Sequence, residues 1–116
     1  MEHYRVLVLG YGEMGHAMEV LLDGRAQLDI WEKYPADDFH SVILEDAAPA
    51  AELILFCLPV SPHREVVTRL LPLLAADAIC VSIAKGLDEN GQTAAQVFAD
   101  VLGTSHPYAL LYGPMI

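Results

Sequence analysis

A chain of 116 residues, 54% apolar and 19% charged, is long enough for one buried core and too short for two ordinary domains, and its composition excludes disorder. The formal net charge of −10 comes from acids spread along the chain with no basic cluster, so nucleic acid and anionic lipid are poor partners. A small anion is still acceptable, because backbone N–H groups at a helix end can hold one locally.

The segment Tyr4–Gly10, "YRVLVLG", reads as a first strand that runs into glycines. From Gly12 to Leu22, the residues Met14, Ala17, Met18, Leu21 and Leu22 recur at helical spacing, and "DGR" supplies a glycine stop. Gln27–Glu32 alternates with period two as a second strand, and Ser41–Asp46, "SVILED", reads as a short third. Glu52–Pro59 is almost continuously apolar, as a strand buried on both faces should be. In the helix read over Ser61–Leu74, Ser61 is the expected N-cap and Pro62 the first helical residue, with a kink or end near Pro72. Ala78–Ala84 is a further strand, Asn90–Gly103 a helix closed by glycine, and Tyr108–Gly113 a last strand. Strands alternating with helices, the inner strands nearly all apolar, predict a doubly wound α/β fold: a mainly parallel Rossmann-type sheet with helices on both faces, in one domain over residues 1–116.

Leu53–Val60 is among the longest apolar runs, yet it falls short of a membrane span and contains a proline. The opening "MEHYR" leads into a strand and not a cleavage site. A soluble cytoplasmic protein is the expectation. Cys57 and Cys80 each lie inside an apolar run and read as buried thiols, not a disulfide. The five histidines, His3, His16, His40, His63 and His106, show no metal-ligand spacing, so no metal is expected. His63 and Arg64 read as surface residues at a helix start, near enough to the cofactor edge to touch a ligand.

Gly10-Tyr11-Gly12-Glu13-Met14-Gly15 is a G-x-G-x-x-G pattern placed between a strand and a helix, where a dinucleotide-binding loop must sit. In that reading Gly10 makes the tight turn, Gly12 lets the pyrophosphate approach the backbone, and Gly15 lets the helix pack on the strand. Glu13 must then point to solvent, away from the phosphates. Glu32 ends the second strand at the position suited to an adenosine ribose, where a carboxylate accepts from the 2′-OH and repels a 2′-phosphate. NAD is therefore favoured over NADP, although Lys33 beside it could tolerate the phosphate.

The segments "ICVSIAKGLDENG" and "LLYGPMI", together with Gly10, Gly12, Gly15, Ala17, Trp31, Pro35 and Pro59, resemble the nucleotide domain of the NAD-dependent glycerol-3-phosphate dehydrogenase family. The resemblance carries a Lys-Gly-Leu motif at Lys85-Gly86-Leu87 and a Gly-Pro motif at Gly113-Pro114. It implies that Lys85 contacts an anionic substrate, and Lys85 is also the only Lys or Arg after Arg69. It further implies that Pro59 and Val60 line the cofactor with their backbone. The family's stretch between the second and third strands is longer than "KYPADDFH", and "GEMG" is similar also to hydroxyacid, prephenate and pyrroline-carboxylate enzymes. The family continues past Gly-Pro into a helical substrate domain with a second active-site lysine. The expectation is thus the cofactor half of a glycerol-3-phosphate dehydrogenase-like oxidoreductase, inactive alone. Alternatives are a stand-alone nucleotide-binding or sensing module and the cofactor domain of a hydroxyacid- or prephenate-type dehydrogenase. An apolar last strand at a sheet edge predicts a homodimer.

Overall fold

The computed structural model describes residues 4–111. Strand β1 (Tyr4–Leu9) leads through the glycine turn into helix α1 (Glu13–Leu22), and β2 (Ala26–Trp31) follows. Next come a single helical turn, α2 (Leu44–Ala47), then β3 (Leu53–Phe56), α3 (His63–Leu70), β4 (Ile79–Ser82), α4 (Ala94–Leu102) and β5 (Tyr108–Leu110). All five strands are parallel, in the order β2-β1-β3-β4-β5. The order reverses between β1 and β3, which opens a crevice at the carboxyl ends of those strands. Among the described residues no helix is long and apolar enough to cross a membrane.

Alternation along β1 sends Leu7 and Leu9 to one face and Val6 and Val8 to the other, and all four are buried. On the first face Leu7, Leu9, Ile54, Phe56 and Cys80 join Val66, Val67 and Leu70 of α3 and Val97, Phe98 and Leu102 of α4 in one apolar cluster. Each such side chain contributes roughly 1.5–3 kcal/mol by leaving water. On the second face Val6, Val8, Ile30, Leu55 and Val81 form a smaller cluster with Met18 and Leu22 of α1 against it. The doubly wound expectation is met, with helices on both faces.

Three expectations are corrected. Ser41–Asp46 is not a strand: Val42 makes one backbone bond to Ile30, 3.0 Å, and the chain then turns into α2, which buries Leu44 and Ala47 three residues apart. The run Val42-Ile43 looked strand-like, but Ser41 spends its hydroxyl on the Glu32 N–H and Pro49 closes the segment as a 3-10 turn. Ser61 does not cap α3, whose N-cap is Pro62, with no side-chain cap bond. The helix read over Asn90–Gly103 begins at Ala94, where Thr93 and Gln96 form a reciprocal capping box. Asp88 holds the preceding turn by accepting the N–H groups of Asn90 and Gln92, both at 2.9 Å. Helix α3 ends at Leu70 and passes into a 3-10 turn containing Pro72, as the proline required. The last strand is seen over Tyr108–Leu110, and Gly113-Pro114 lies outside the described residues.

Candidate dinucleotide-binding site

The glycine turn is fixed by backbone sterics. Gly10 has φ +96, and a Cβ there would stand 2.7 Å from the Cys57 carbonyl oxygen and from Leu58 Cδ2. A Cβ on Gly15 would stand 2.1 Å from the Gly10 carbonyl oxygen, so α1 can lie against the turn only with glycine there. Gly12 differs: a Cβ there meets nothing within 4 Å. Gly12 is the N-cap of α1 and no side chain caps this helix. The N–H groups of its first turn have no intrahelical partner, and they carry the positive end of the helix dipole. The protein does not need Gly12 to be small for its own packing.

On the β2 side of the turn lies a hollow of about 510 Å³, lined by Tyr11, His16, Glu32, Tyr34, Ala36, Asp38 and Phe39. The Tyr11 ring is stacked between His16 and Phe39, with centroids 3.7 and 4.4 Å away. Its hydroxyl donates to Glu19 at 2.6 Å, which with partial burial raises the Tyr11 pKa. The Tyr11 N–H donates to Glu32 Oε2 at 2.7 Å, and the Glu32 N–H donates to Ser41 Oγ at 2.8 Å. Glu32 is thus tied at backbone and carboxylate, with its other carboxylate oxygen available to accept.

On the β3–β4 side lies a second hollow of about 270 Å³, lined by Glu13, Met14, Cys57, Leu58, Pro59, Ile83 and Ala84. Glu13 is exposed, yet it stands on the rim of this hollow. Burial pushes the Cys57 thiol up to about 11 and the Cys80 thiol to about 12, so neither is a ready nucleophile. Pro59 lines the hollow, whereas the Val60 side chain turns into the interior, 3% exposed, and its carbonyl accepts the His63 N–H at 2.9 Å. Lys85 is exposed on the loop after β4, directly beyond Ala84. Gly10–Gly15 therefore separates two hollows, with Glu32 at one and Pro59 and Lys85 at or beside the other.

Several contributors were not foreseen. The Tyr11 stack joins residues of the glycine turn to Phe39 of the β2–α2 loop, and Ser41 anchors Glu32. His63 is no surface residue: it is fully buried between Phe56 and Phe98. Arg64, beside it, donates to Gln92 and to Asp100, the latter at 2.9 Å, and so joins α3 to α4. The period of α3 marks a buried side, but the partner for a polar ring there cannot be read from spacing. Among the described residues no three His, Cys, Asp or Glu side chains come together as a metal site would require.

A family model described as the NAD-dependent glycerol-3-phosphate dehydrogenase N-terminus matches residues 33–116. The chain belongs to this family. Because the match starts at Lys33, the glycine turn stands on its own geometry and on relatives that span more of the chain. The glycerol-3-phosphate dehydrogenase (NAD(P)+) of Agrobacterium fabrum is 29% identical over 98% of this chain and 42% of its own length. That alignment runs over 140 positions against a chain of 116 residues, so the relative carries insertions. The enzyme of the same name from Pelotomaculum thermopropionicum is 37% identical over 69% of this chain and 24% of its own length. The crystal structure of glycerol-3-phosphate dehydrogenase from Coxiella burnetii superposes on 98% of this chain and 42% of that one, with a TM-score of 0.80 at 23% identity. The chain thus corresponds to the NAD-binding N-terminal domain of the glycerol-3-phosphate dehydrogenase family and spans about two fifths of these two longer matches.

Proposed function

We propose that residues 1–116 form one domain that holds NAD(H) across the glycine turn, for a glycerol-3-phosphate dehydrogenase-type oxidoreductase. The observation that carries this reading is the open space at Gly12 above an uncapped helix start, with a hollow on either side. Two phosphates fit the backbone N–H groups of the Gly12–Gly15 helix start, those of Gly10 and Tyr11 being bonded to Trp31 and Glu32. The adenosine half fits the Tyr11–Glu32 hollow, and the nicotinamide half fits the hollow lined by Pro59 and Ala84. When bound, the cofactor supplies hydride exchange with a substrate of the glycerol 3-phosphate/dihydroxyacetone phosphate type in the complete enzyme. Lys85 holds the anionic substrate by charge. Glu32 accepts from the ribose hydroxyls, and with Asp38 in the same hollow it disfavours a 2′-phosphate, so NAD is preferred over NADP. The chain by itself binds cofactor without turnover, since among the described residues neither hollow places a general acid for the carbonyl beside Lys85. It acts as a soluble cytoplasmic domain and pairs as a homodimer through the exposed β5 edge, where Tyr108 and Ala109 are open to solvent; sedimentation as a monomer at working concentration would remove that pairing.

Calorimetric titration with NADH and NADPH tests the reading. Wild-type chain should bind NADH with micromolar affinity and NADPH at least about tenfold more weakly, a difference of ~1.4 kcal/mol. Gly12→Val should abolish both while leaving the urea midpoint unchanged, because its side chain points into space that the protein leaves empty. A Gly12→Val chain that still binds NADH would overturn the pyrophosphate assignment. Gly15→Ala should instead destabilise the fold, by about 1–3 kcal/mol for an overpacked contact.

A further inference from the structure

His63 is fully buried and takes no direct part in the dinucleotide site, yet both of its ring nitrogens are engaged. Nδ1 lies 2.7 Å from the Pro59 carbonyl oxygen, and Nε2 lies 2.7 Å from Ser82 Oγ. A carbonyl can only accept, so Nδ1 carries a proton, and in the neutral ring Nε2 is then bare. The Ser82 hydroxyl then donates to Nε2, and its oxygen accepts the Ala84 N–H at 3.0 Å. Pro59, His63, Ser82 and Ala84 form one directed chain in which every donor meets an acceptor.

The two ends of that chain meet at one place. Pro59 and Ala84 both line the smaller hollow, on the segments after β3 and β4, and Lys85 is the next residue. An apolar ring could fill the space between Phe56 and Phe98 and would avoid burying two polar nitrogens. What it could not do is bond the two turns to each other. Register puts Ser82 beside Phe56 on the face covered by α3, so the ring reaches the β4 end from the helix that starts just after the Pro59 turn.

We propose that His63 is a positioning residue: as the neutral Nδ1–H tautomer it ties the Pro59 turn to the Ala84–Lys85 turn and so sets the width of the nicotinamide end of the site. This rests on the reading that the smaller hollow receives the nicotinamide half. The test compares two probes, NADH and ADP-ribose, which lacks the nicotinamide, on the full chain. His63→Phe keeps an aromatic ring and cuts the link. It should weaken NADH about tenfold, the size expected for one lost charge-free hydrogen-bonded contact, and leave ADP-ribose within about twofold. A merely structural role would weaken both probes together or neither, and either result overturns the proposal. Ser82→Ala removes only the hydroxyl and should reproduce the split, which keeps the test open if His63→Phe fails to fold. Imidazole ¹⁵N spectra of the ligand-free chain should show His63 protonated at Nδ1 and bare at Nε2; the opposite tautomer would overturn the proposal. Wild-type chain that binds neither probe would overturn the dinucleotide reading and this proposal with it. Binding of both by the wild type with no split in either variant would overturn this proposal alone.

Discussion

The two faces of the sheet are built to different depths. Leu7, Leu9, Ile54 and Phe56 lie beneath α2, α3 and α4 in one continuous cluster, while among the described residues Val6, Val8, Leu55 and Val81 have α1 as their covering helix, with Phe39 packed against the same cluster. Helix α1 even turns Val20, 77% exposed, and Leu21, 60% exposed, to solvent. At the amino ends of the strands this sparser face opens into a cavity of about 390 Å³ lined by Tyr4, Val6, Leu22, Leu53 and Ile79. The deep face holds the fold together, and the helix on the sparse face is the one whose start is given to the candidate ligand. A site helix needs its first turn free, and its lighter packing costs the domain little because the other face carries the core.

Neighbouring residues of β3 measure the difference most directly. Ile54 is fully buried on the deep face, and Leu55, 5% exposed, lies on the sparse one. Truncation of Ile54 to Ala should cost about 4 kcal/mol, because rigid neighbours cannot collapse into the space, whereas Leu55→Ala should cost about 2 kcal/mol. Equal losses in urea unfolding would break the comparison.

Acid should act next, and also through the deep face. Burial holds the His63 pKa below its ordinary value, despite the Pro59 carbonyl, which acts the other way. The unfolded chain therefore binds this proton first, so its contribution is complete above pH ~6.5 and falls as the pH drops below that value. Asp100, beside Arg64, and Glu45, beside Arg69, have lowered pKa values, chiefly from hydrogen bonds to those guanidinium groups. Their contributions are present above the ordinary carboxylate range and fade at lower pH. Denaturant midpoints should thus fall in two steps on acidification, and His63→Phe should erase the upper one. If the wild type shows no loss between pH 6.5 and 5, the buried neutral imidazole is excluded.

The smallest effect belongs to the surface of α3. Arg69 donates twice to Glu45, at 2.7 and 2.9 Å, across an exposed pair. Arg69→Ala should lower the midpoint slightly in dilute buffer and not at all in about 1 M salt, where the Debye length is near 3 Å. A loss comparable with that of Leu55→Ala would mean that the contact between Arg69 and the Trp31 ring, 5.7 Å to the centroid, matters more than the ion pair.

What could be read from the sequence were features whose cause is local. The roles of Gly10 and Gly15 follow from spacing because the contacts they avoid lie in the same turn or at the adjoining β3 end. The buried strands β1 and β3 show in their unbroken apolar runs. Ser41–Asp46 misled because Val42 and Ile43 favour strand, whereas the outcome was set by a bond from Glu32 to Ser41 and by the burial of Leu44. Glu32 was singled out by its place at the end of the second strand, but its bond to the Tyr11 amide depends on how β2 lies beside β1. His63 was misplaced for the same reason. Its burial depends on Ser82, on a different strand, and no pattern within α3 announces that partner.

Strand order also decides when the molecule can fold. Strand β1 is synthesised before the other four strands, yet it sits between two of them: Val6 pairs with Leu28 on one side and with Leu53 on the other. One edge of β1 can close once β2 has emerged, but the other remains open until β3 has, and Ile54 then still awaits β4 and its Cys80 partner. The nascent chain thus carries an apolar strand with one unpaired edge until residues 53–56 have been made. Its early life is one of delayed, long-range closure, which favours a holding chaperone and slow refolding.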